Sequence, residues 1–192
     1  MMDSTGVEIA KHIAFDPDGM SLRAATAADR DFECAVFIST RVEEFTRTGW
    51  EPERIRSFLQ EQFQLQHQYY QRHYPDGCFD IVEMNGVAIG RLYHAKREEP
   101  SGSELRVIDI ALLPEWRGKG IGARLLDAVL AEAWQEGLAV SLYVERNNPV
   151  RALYDRLGFV KIGENGVYEM LRRPCAVPAH EAKPLGILRT VD

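Results

Sequence analysis

Residues 104–122 read ELRVIDIALLPEWRGKGIG and carry the strongest fold signal in the chain. The apolar run from Glu104 to Leu113 predicts a strand, because Val and Ile favour extended backbone. Pro114 ends the run, and the glycine-rich segment 117–122 then opens a helix predicted to extend to about Gln135. A strand that leads through a glycine turn into a helix is typical of a domain that mixes strands and helices.

The glycine turn has the composition of an anion-binding site. Exposed backbone N–H groups at a helix start attract negative groups, and the helix dipole adds to the attraction. Gly118, Gly120 and Gly122 permit close approach of a ligand to the backbone, while Arg117 and Lys119 add positive charge. The spacing fits neither the P-loop nor the Rossmann pattern. Taken alone, the turn predicts a phosphate or pyrophosphate site, with a glycine turn that binds nothing as the alternative.

Apolar periodicity and turn residues divide the rest of the chain into strands and helices. Asn85-Gly86 and Asn165-Gly166 predict hairpins, and Thr26 with Asp29 resembles a helix-capping box. Asn148 is predicted to cap a helix that starts at Pro149. The predicted strands are 20–24, 79–84, 87–94, 104–113, 139–144, 159–163 and 167–171, the helices are 27–40, 51–70, 121–135 and 149–158, and 97–103 is a polar loop. The order predicts a mixed sheet with helices on both faces.

Composition limits the class of protein. The 192 residues suffice for one domain with a core, and the net charge of −6 disfavours nucleic acid as a partner. No apolar stretch approaches the roughly 18 residues of a membrane span, and no signal peptide is seen. The three cysteines and five histidines show no spacing typical of disulfides or metal sites, so we expect no metal and a cytoplasmic location.

Two further segments complete a family pattern. Arg117-x-x-Gly120-x-Gly122 follows the apolar run, and Asn147 stands seven residues before Tyr154, which precedes Leu157-Gly158-Phe159. Together these resemble the two signatures of the GNAT (GCN5-related N-acetyltransferase) superfamily; Val150, where a small residue is usual, departs from them. The resemblance spans about 22–172. It implies an α/β (mixed α+β) fold: a mostly antiparallel, twisted sheet of about 6–7 strands, with splayed parallel strands at 104–113 and 139–144.

The resemblance also implies a domain division and a donor site. Residues 20–173 would form the acetyltransferase domain, with extensions at 1–19 and 174–192. The donor would be acetyl-CoA, bound as a co-substrate. Its pantetheine arm would pair with the backbone of Ile110, Ala111 and Leu112 and contact Asn147, and its pyrophosphate would lie on the N–H groups of Arg117, Gly118, Lys119, Gly120, Ile121 and Gly122. Tyr154 would face the sulfur.

The transfer reaction needs a group that handles the proton of the acceptor. An alkylamine is only about one part in 10³–10⁴ neutral at pH 7, so a base or an environment that favours the neutral amine is required. Asp109 interrupts an apolar strand and is the first candidate base, although a salt bridge to Arg91 or Arg106 is an equal alternative. Glu104 is the second and Glu145 the third. Strand alternation predicts that only one of Asp109 and Glu104 faces the site, unless a bulge intervenes.

The remaining catalytic groups follow from the chemistry of a thioester. A backbone N–H near Leu112 could stabilise the oxyanion, and the Tyr154 phenol could protonate the thiolate. The alternative for Tyr154 is a core aromatic role. The aromatic segment 60–74 either lines the acceptor pocket or packs on the sheet.

These observations predict an N-acetyltransferase that moves an acetyl group directly to a primary amine of a small molecule or peptide. A homodimer is compatible with the family. A non-catalytic acyl-CoA sensor of the same fold and a nucleotide-binding regulator are the alternatives.

Overall fold

Seven strands form one sheet in the described residues, 19–100 and 102–175 of the computed structural model. They lie in the order β1-β2-β3-β4-β5-β7-β6. The β4–β5 pair is parallel, and every other adjacent pair is antiparallel. The predicted mixed, mostly antiparallel sheet is therefore confirmed. The strands are β1 (Met20–Ala24), β2 (Cys78–Met84), β3 (Val87–Glu99), β4 (Gly102–Leu112), β5 (Ala139–Glu145), β6 (Val160–Asn165) and β7 (Tyr168–Arg173).

Helices cover both faces of the sheet, as predicted. They are α1 (Arg30–Arg41), α2 (Pro52–His73), α3 (Ile121–Gln135) and α4 (Arg151–Arg156). On one face, apolar side chains of α3 and α4 join the sheet in the larger core. On the other face, α1 packs on α2 through a smaller cluster that contains Phe37, Leu59 and Phe63. No helix in the described residues is long and apolar enough to cross a membrane.

Local sequence signals account for several element boundaries. Asn85 and Gly86 have φ values of 52° and 77°, the left-handed pair that a two-residue hairpin turn requires. The backbone N–H of Thr26 donates to the Asp29 carboxylate at 2.8 Å, which confirms the capping box. That box starts a 3₁₀ turn at Ala27–Asp29, and α1 begins only at Arg30.

Two sequence predictions were wrong. The predicted polar loop at 97–103 is largely strand, because Glu98 pairs with Ser103 across a long hairpin and the Ser103 hydroxyl donates to the Glu98 carboxylate. Cross-strand polar pairs of this kind hold together a hairpin that has few apolar side chains. The fourth helix starts at Arg151, and the Asn148 side chain accepts from the N–H of Val150 within the preceding turn.

The predicted extensions lie almost entirely outside the described residues. Residues 1–18 and 176–192 are not described, and neither is residue 101. Of the predicted extensions, the structure describes Gly19, which precedes β1, and Pro174 and Cys175, which follow β7.

β4 carries one extra residue in its pairing with β3. Tyr93 lies opposite Asp109 and His94 lies opposite Val107, so Ile108 has no partner of its own. A bulge of this type bends its strand and shifts the alternation of side chains by one position.

The shift places both candidate carboxylates on the same face of the sheet. Leu105 before the bulge and Ile110 after it both pack into the core beneath α3. Side chains next to each of these residues therefore point to the opposite face, where α1 and α2 lie. Glu104 and Asp109 share that face, contrary to simple alternation.

The bulge coincides with the place where two strands separate. β4 pairs with β5 from Glu104 to Val107, opposite Ala139 to Leu142. Beyond this point β5 continues to pair with β7, while β4 continues to pair with β3. The predicted splay of the parallel strands is confirmed, and it leaves a V-shaped opening in the middle of the sheet.

We expect Gly90→Ala to destabilise the sheet beside this opening. A Cβ at Gly90 would lie 2.4 Å from the Ala111 carbonyl oxygen and 2.6 Å from Leu112 Cδ2. Overpacking of this kind costs about 1–3 kcal/mol. Thermal denaturation of Gly163→Ala is the matched control, since a Cβ there meets only Met170 Cβ at 3.9 Å. Equal melting temperatures for the two variants would contradict the close approach of β3 and β4.

Candidate active site

A cleft of about 780 Å³ opens where β4 leaves β5. Its floor is the bulged part of β4 and the end of β5, and one wall is the C-terminal half of α2. Tyr154 of α4 and Tyr168 of β7 close the other side. The lining residues from β4 are Arg106, Val107, Ile108, Asp109, Ile110 and Ala111, and those from α2 are Gln66, Tyr69, Tyr70 and His73.

Tyr154 presents a protonated phenol to the cleft. The residue is buried, and its ring packs edge-on against Phe159 with the centroids 5.7 Å apart. Burial, with a smaller contribution from the negative charge of Asp109, raises the pKa of Tyr154 to about 12. A phenol in such surroundings stays protonated at neutral pH, so it can donate a hydrogen bond to a group that gains negative charge.

Asp109 is held by a buried arginine. The Arg91 guanidinium Nη2 lies 2.5 Å from Asp109 Oδ2, and the Arg91 side chain is only 2% exposed. Burial and then the charge of Asp109 raise the pKa of Tyr70 as well. Asp109, Tyr70 and Tyr154 all line the cleft, and the salt bridge considered in the sequence analysis is made to Arg91.

Glu104 is engaged elsewhere. Its carboxylate accepts from Arg106 Nη2 at 2.6 Å and from the Ser141 hydroxyl at 2.5 Å, and Arg172 Nε lies 3.5 Å from its second oxygen. The side chain is 1% exposed and does not line the cleft. Although the bulge brings Glu104 to the face of Asp109, its carboxylate is fully used in a buried ion-pair cluster.

Glu145 does line the cleft. Its Oε1 lies 3.3 Å from both the Arg41 guanidinium and the Tyr168 hydroxyl, and its side chain is 41% exposed. It therefore lies in a more solvated part of the cleft than Asp109, whose side chain is 18% exposed.

The glycine turn has the backbone shape of a ligand cradle. Gly118 and Gly120 have φ values of 70° and 78°, which L side chains rarely adopt. Gly122 has no such restriction, yet a Cβ there would meet no atom within 4 Å. Within the described part of the chain, no side chain caps the N-terminus of α3, whose N-cap residue is Gly120. Nothing in the fold itself requires glycine at position 122, whereas an anion seated on the helix start would.

The two cations of the turn contact the protein rather than pointing away from it. Arg117 Nε donates to the Leu112 carbonyl at 2.8 Å, and its Nη2 donates to the Ser39 hydroxyl at 2.7 Å. The Lys119 ammonium lies 5.1 Å above the Trp116 ring. The Arg117 side chain thus ties the turn to the end of β4 and to α1.

The cleft brings together only some of the predicted site residues. Asp109, Ile110, Ala111 and Tyr154 line it, whereas Leu112, the turn 117–122, Glu104 and Asn147 do not; Asn148 does. The aromatic segment of α2 supplies a wall, as one of its two interpretations predicted. Sequence analysis missed Tyr143 and Tyr168, because an aromatic residue in a strand is equally typical of a sheet core. Within 19–100 and 102–175, no group of three or more His, Cys, Asp or Glu side chains could hold a metal ion.

The sequence matches the model of a known protein family. Residues 42–159 match the model of the acetyltransferase (GNAT) family, which is more than half of the chain. The chain belongs to the GNAT family. This confirms the predicted resemblance.

Individual relatives are distant. A 5-NmdU N-acetyltransferase of Pseudomonas phage PaMx11 is 29% identical over 92 residues, which cover 48% of this chain and 64% of that protein, less than two thirds of its length. The PaiA N-acetyltransferase of Thermoplasma acidophilum, solved with coenzyme A, has a TM-score of 0.59 at 18% identity and covers 81% of this chain and 98% of its own. A Corynebacterium glutamicum structure described as histone acetyltransferase HPA2 and related acetyltransferase has a TM-score of 0.60 at 22% identity, with 84% and 99% covered. The solved structures share the fold.

We expect Asp109→Asn to lower the pKa of Tyr154. The charge of Asp109 is the smaller of the two causes that raise it, and burial is the larger. The phenol should therefore still titrate above the ordinary value of about 10, but below the wild-type value. Ultraviolet titration of the tyrosines measures the change, with Tyr154→Phe identifying the component that belongs to Tyr154. An unchanged titration in Asp109→Asn would show that the two groups do not interact.

Proposed function

We propose that the protein is an N-acetyltransferase that moves an acetyl group directly from acetyl-CoA to a primary amine of a small molecule or peptide. The observation that carries this proposal is the meeting of Asp109 and Tyr154 at the point where β4 loses its parallel partner. A carboxylate that can accept a proton and a phenol that can donate one stand at the two sides of one cleft.

The donor side of the cleft fits a CoA thioester. Residues 108–112 of β4 have no β5 partner along one edge, so their backbone groups are available to an extended ligand. The glycine turn and the uncapped start of α3 fit a pyrophosphate, and Gly122 leaves room for it. When bound, acetyl-CoA supplies the activated acetyl group. The coenzyme A in the structurally similar Thermoplasma protein supports the same assignment.

Each side chain has a distinct proposed role. Asp109 accepts a hydrogen bond from the N–H of the acceptor and receives the proton that nitrogen loses. Tyr154 donates its phenolic hydrogen to the leaving sulfur. Because the pKa of Tyr154 is about 12, the proton stays on the phenol until negative charge develops on the sulfur. A backbone N–H near Leu112 is proposed to stabilise the oxygen of the reacting carbonyl.

The acceptor is proposed to enter along α2. Tyr69 and Tyr70 of the α2 wall and Tyr168 opposite provide rings and hydroxyls that can contact an organic amine. Nitrogen as the acceptor atom is supported by the phage relative, which is named as an N-acetyltransferase.

We expect wild-type protein to release free thiol from acetyl-CoA with at least one amine of a panel of tyramine, spermidine, lysine and a lysine-containing peptide. Tyr154→Phe should lower kcat by about 10²–10⁴-fold, since it removes the proton donor. Its affinity for CoA, measured by calorimetry, should stay the same, because the ring that packs on Phe159 remains.

Two results would contradict these assignments. Equal kcat in Tyr154→Phe would remove the donor role. Tight CoA binding by the wild-type protein without transfer to any amine of the panel would favour the non-catalytic sensor.

We expect Gly122→Ala to weaken CoA binding while leaving the fold intact. A methyl group there meets no protein atom but would occupy the space assigned to the pyrophosphate. Loss of one charge-assisted hydrogen bond corresponds to a rise in the dissociation constant of about tenfold. Gly163→Ala is the control, since that glycine lies on the edge strand β6. Unchanged affinity in Gly122→Ala would place the pyrophosphate elsewhere.

A further inference from the structure

The Arg91 guanidinium is buried beneath the cleft and makes three contacts at once. It bonds Asp109 Oδ2 at 2.5 Å, Gln66 Oε1 at 3.2 Å and the Glu33 carbonyl at 3.2 Å. Its side chain is 2% exposed. A buried arginine is unfavourable unless it is paired, and a buried ion pair often adds no net stability over apolar residues of similar volume. The position of Arg91 therefore needs a reason other than stability.

One consequence of these contacts is a fixed carboxylate. Arg91 Nη2 binds the second oxygen of Asp109 and, at the same time, the side chain of Gln66. Gln66 itself belongs to the α2 wall of the cleft. The arginine thus ties the carboxylate to the helix along which the acceptor is proposed to enter.

A second consequence is charge balance around Asp109. From α1, Glu33 faces the same region, but it accepts a hydrogen bond from the Tyr93 hydroxyl and lies 3.7 Å from the Arg30 guanidinium. Arg91 and Asp109 form one neutral pair, and Arg30 and Glu33 form another.

Other charged groups of the cleft have partners: Arg97 pairs with Glu99, and Arg41 lies near both Glu44 and Glu145. From α2, Tyr70 is a protonated phenol, and burial followed by the charge of Arg30 lowers the pKa of His67. From α4, Tyr154 is also a protonated phenol. Arg41, at the end of α1, is paired with Glu145. An ammonium ion that enters beside Asp109 therefore meets a carboxylate whose negative charge is already offset by Arg91.

We propose that Arg91 is a positioning residue for the acceptor amine: it fixes Asp109 and offsets its charge, so that the bound amine is held in its neutral, nucleophilic form. This inference rests on the proposed function. The ammonium releases one proton to water on binding, and the nitrogen lone pair then forms the N–C bond. As the C–S bond breaks, the second proton leaves nitrogen for Asp109 and the sulfur takes the Tyr154 proton. Asp109 then releases its proton to water and the Tyr154 phenolate takes one from water, which restores both groups.

The test is the pH dependence of kcat, which reports the groups of the bound complex. The probe is the best amine of the panel above, with acetyl-CoA saturating. The acid limb of the profile is the fall in kcat at low pH, where the bound amine becomes protonated. In Arg91→Met the uncompensated Asp109 carboxylate stabilises the ammonium form, so the acid limb should move to higher pH by about 1–3 units. In Asp109→Asn the uncompensated arginine does the opposite, and the acid limb of the residual activity should move to lower pH. Arg91→Lys keeps the cation and should keep the limb near its wild-type position.

Arg97→Met is the matched control for loss of a cleft arginine. Arg97 lines the same cleft but pairs with Glu99 and stacks on Tyr74, so the limb should not move. A structural role for Arg91 would lower kcat in Arg91→Met without moving the limb, and that result would overturn the inference. If Arg91→Met does not fold, the Asp109→Asn profile decides: an unmoved limb overturns the inference.

Failure of the proposed function has a different signature. Wild-type protein that transfers to no amine of the panel would overturn both proposals. Full kcat in Asp109→Asn would remove Asp109 from the reaction and overturn the role of Arg91 with it. Active wild-type protein, an impaired Asp109→Asn variant and unmoved limbs would overturn the inference alone.

Discussion

The extra residue in β4 is the constraint on which the site depends. Ile108 has no partner on β3, and from this point β4 no longer pairs with β5. A strand inside a sheet normally has both edges satisfied by neighbours, so an interior strand with one free edge is available to another extended chain. The same residue reverses the alternation of side chains, which turns Asp109 toward the cleft. One bulge therefore accompanies both the free edge of β4 and the turn of Asp109 toward the cleft.

The face of the sheet that carries the cleft contains buried charged side chains. Arg91 pairs with Asp109, and Arg106 pairs with Glu104, each with at least one fully buried partner. Such pairs contribute little net stability compared with apolar packing. The opposite face, beneath α3, carries the larger apolar core, although His94 and Asp80 lie 3.7 Å apart near Glu132 of α3. The tertiary network on the polar face determines which of the two carboxylates lines the cleft.

The two carboxylates show why residue type alone does not assign a role. Both sit in β4 and, because of the bulge, on the same face. Glu104 is surrounded by Arg106, Ser141 and Arg172 and is closed off from the cleft. Asp109 has one arginine partner and keeps an exposed side. Across the cleft, burial also determines the state of Tyr154, because it raises the pKa of the phenol and keeps it protonated. The charge and protonation of each group in the site therefore depend on which side chains are buried next to it.

Local sequence determined much of this protein. The glycines at 118, 120 and 122, the Asn85-Gly86 turn and the spacing of Asn147 from Tyr154 are local signals. The order of strands and helices along the chain, the glycine turn and the family could therefore be inferred without a structure. The bulge at Ile108, the Arg91–Asp109 pair and the enclosure of Glu104 depend on residues 15 or more positions apart, or on register between strands. Those contacts arise only when the sheet assembles, because a one-residue slip in pairing changes every side chain that follows. The sequence by itself therefore determined a GNAT fold with a glycine turn before a helix, and only the tertiary structure decided which charged groups face the cleft.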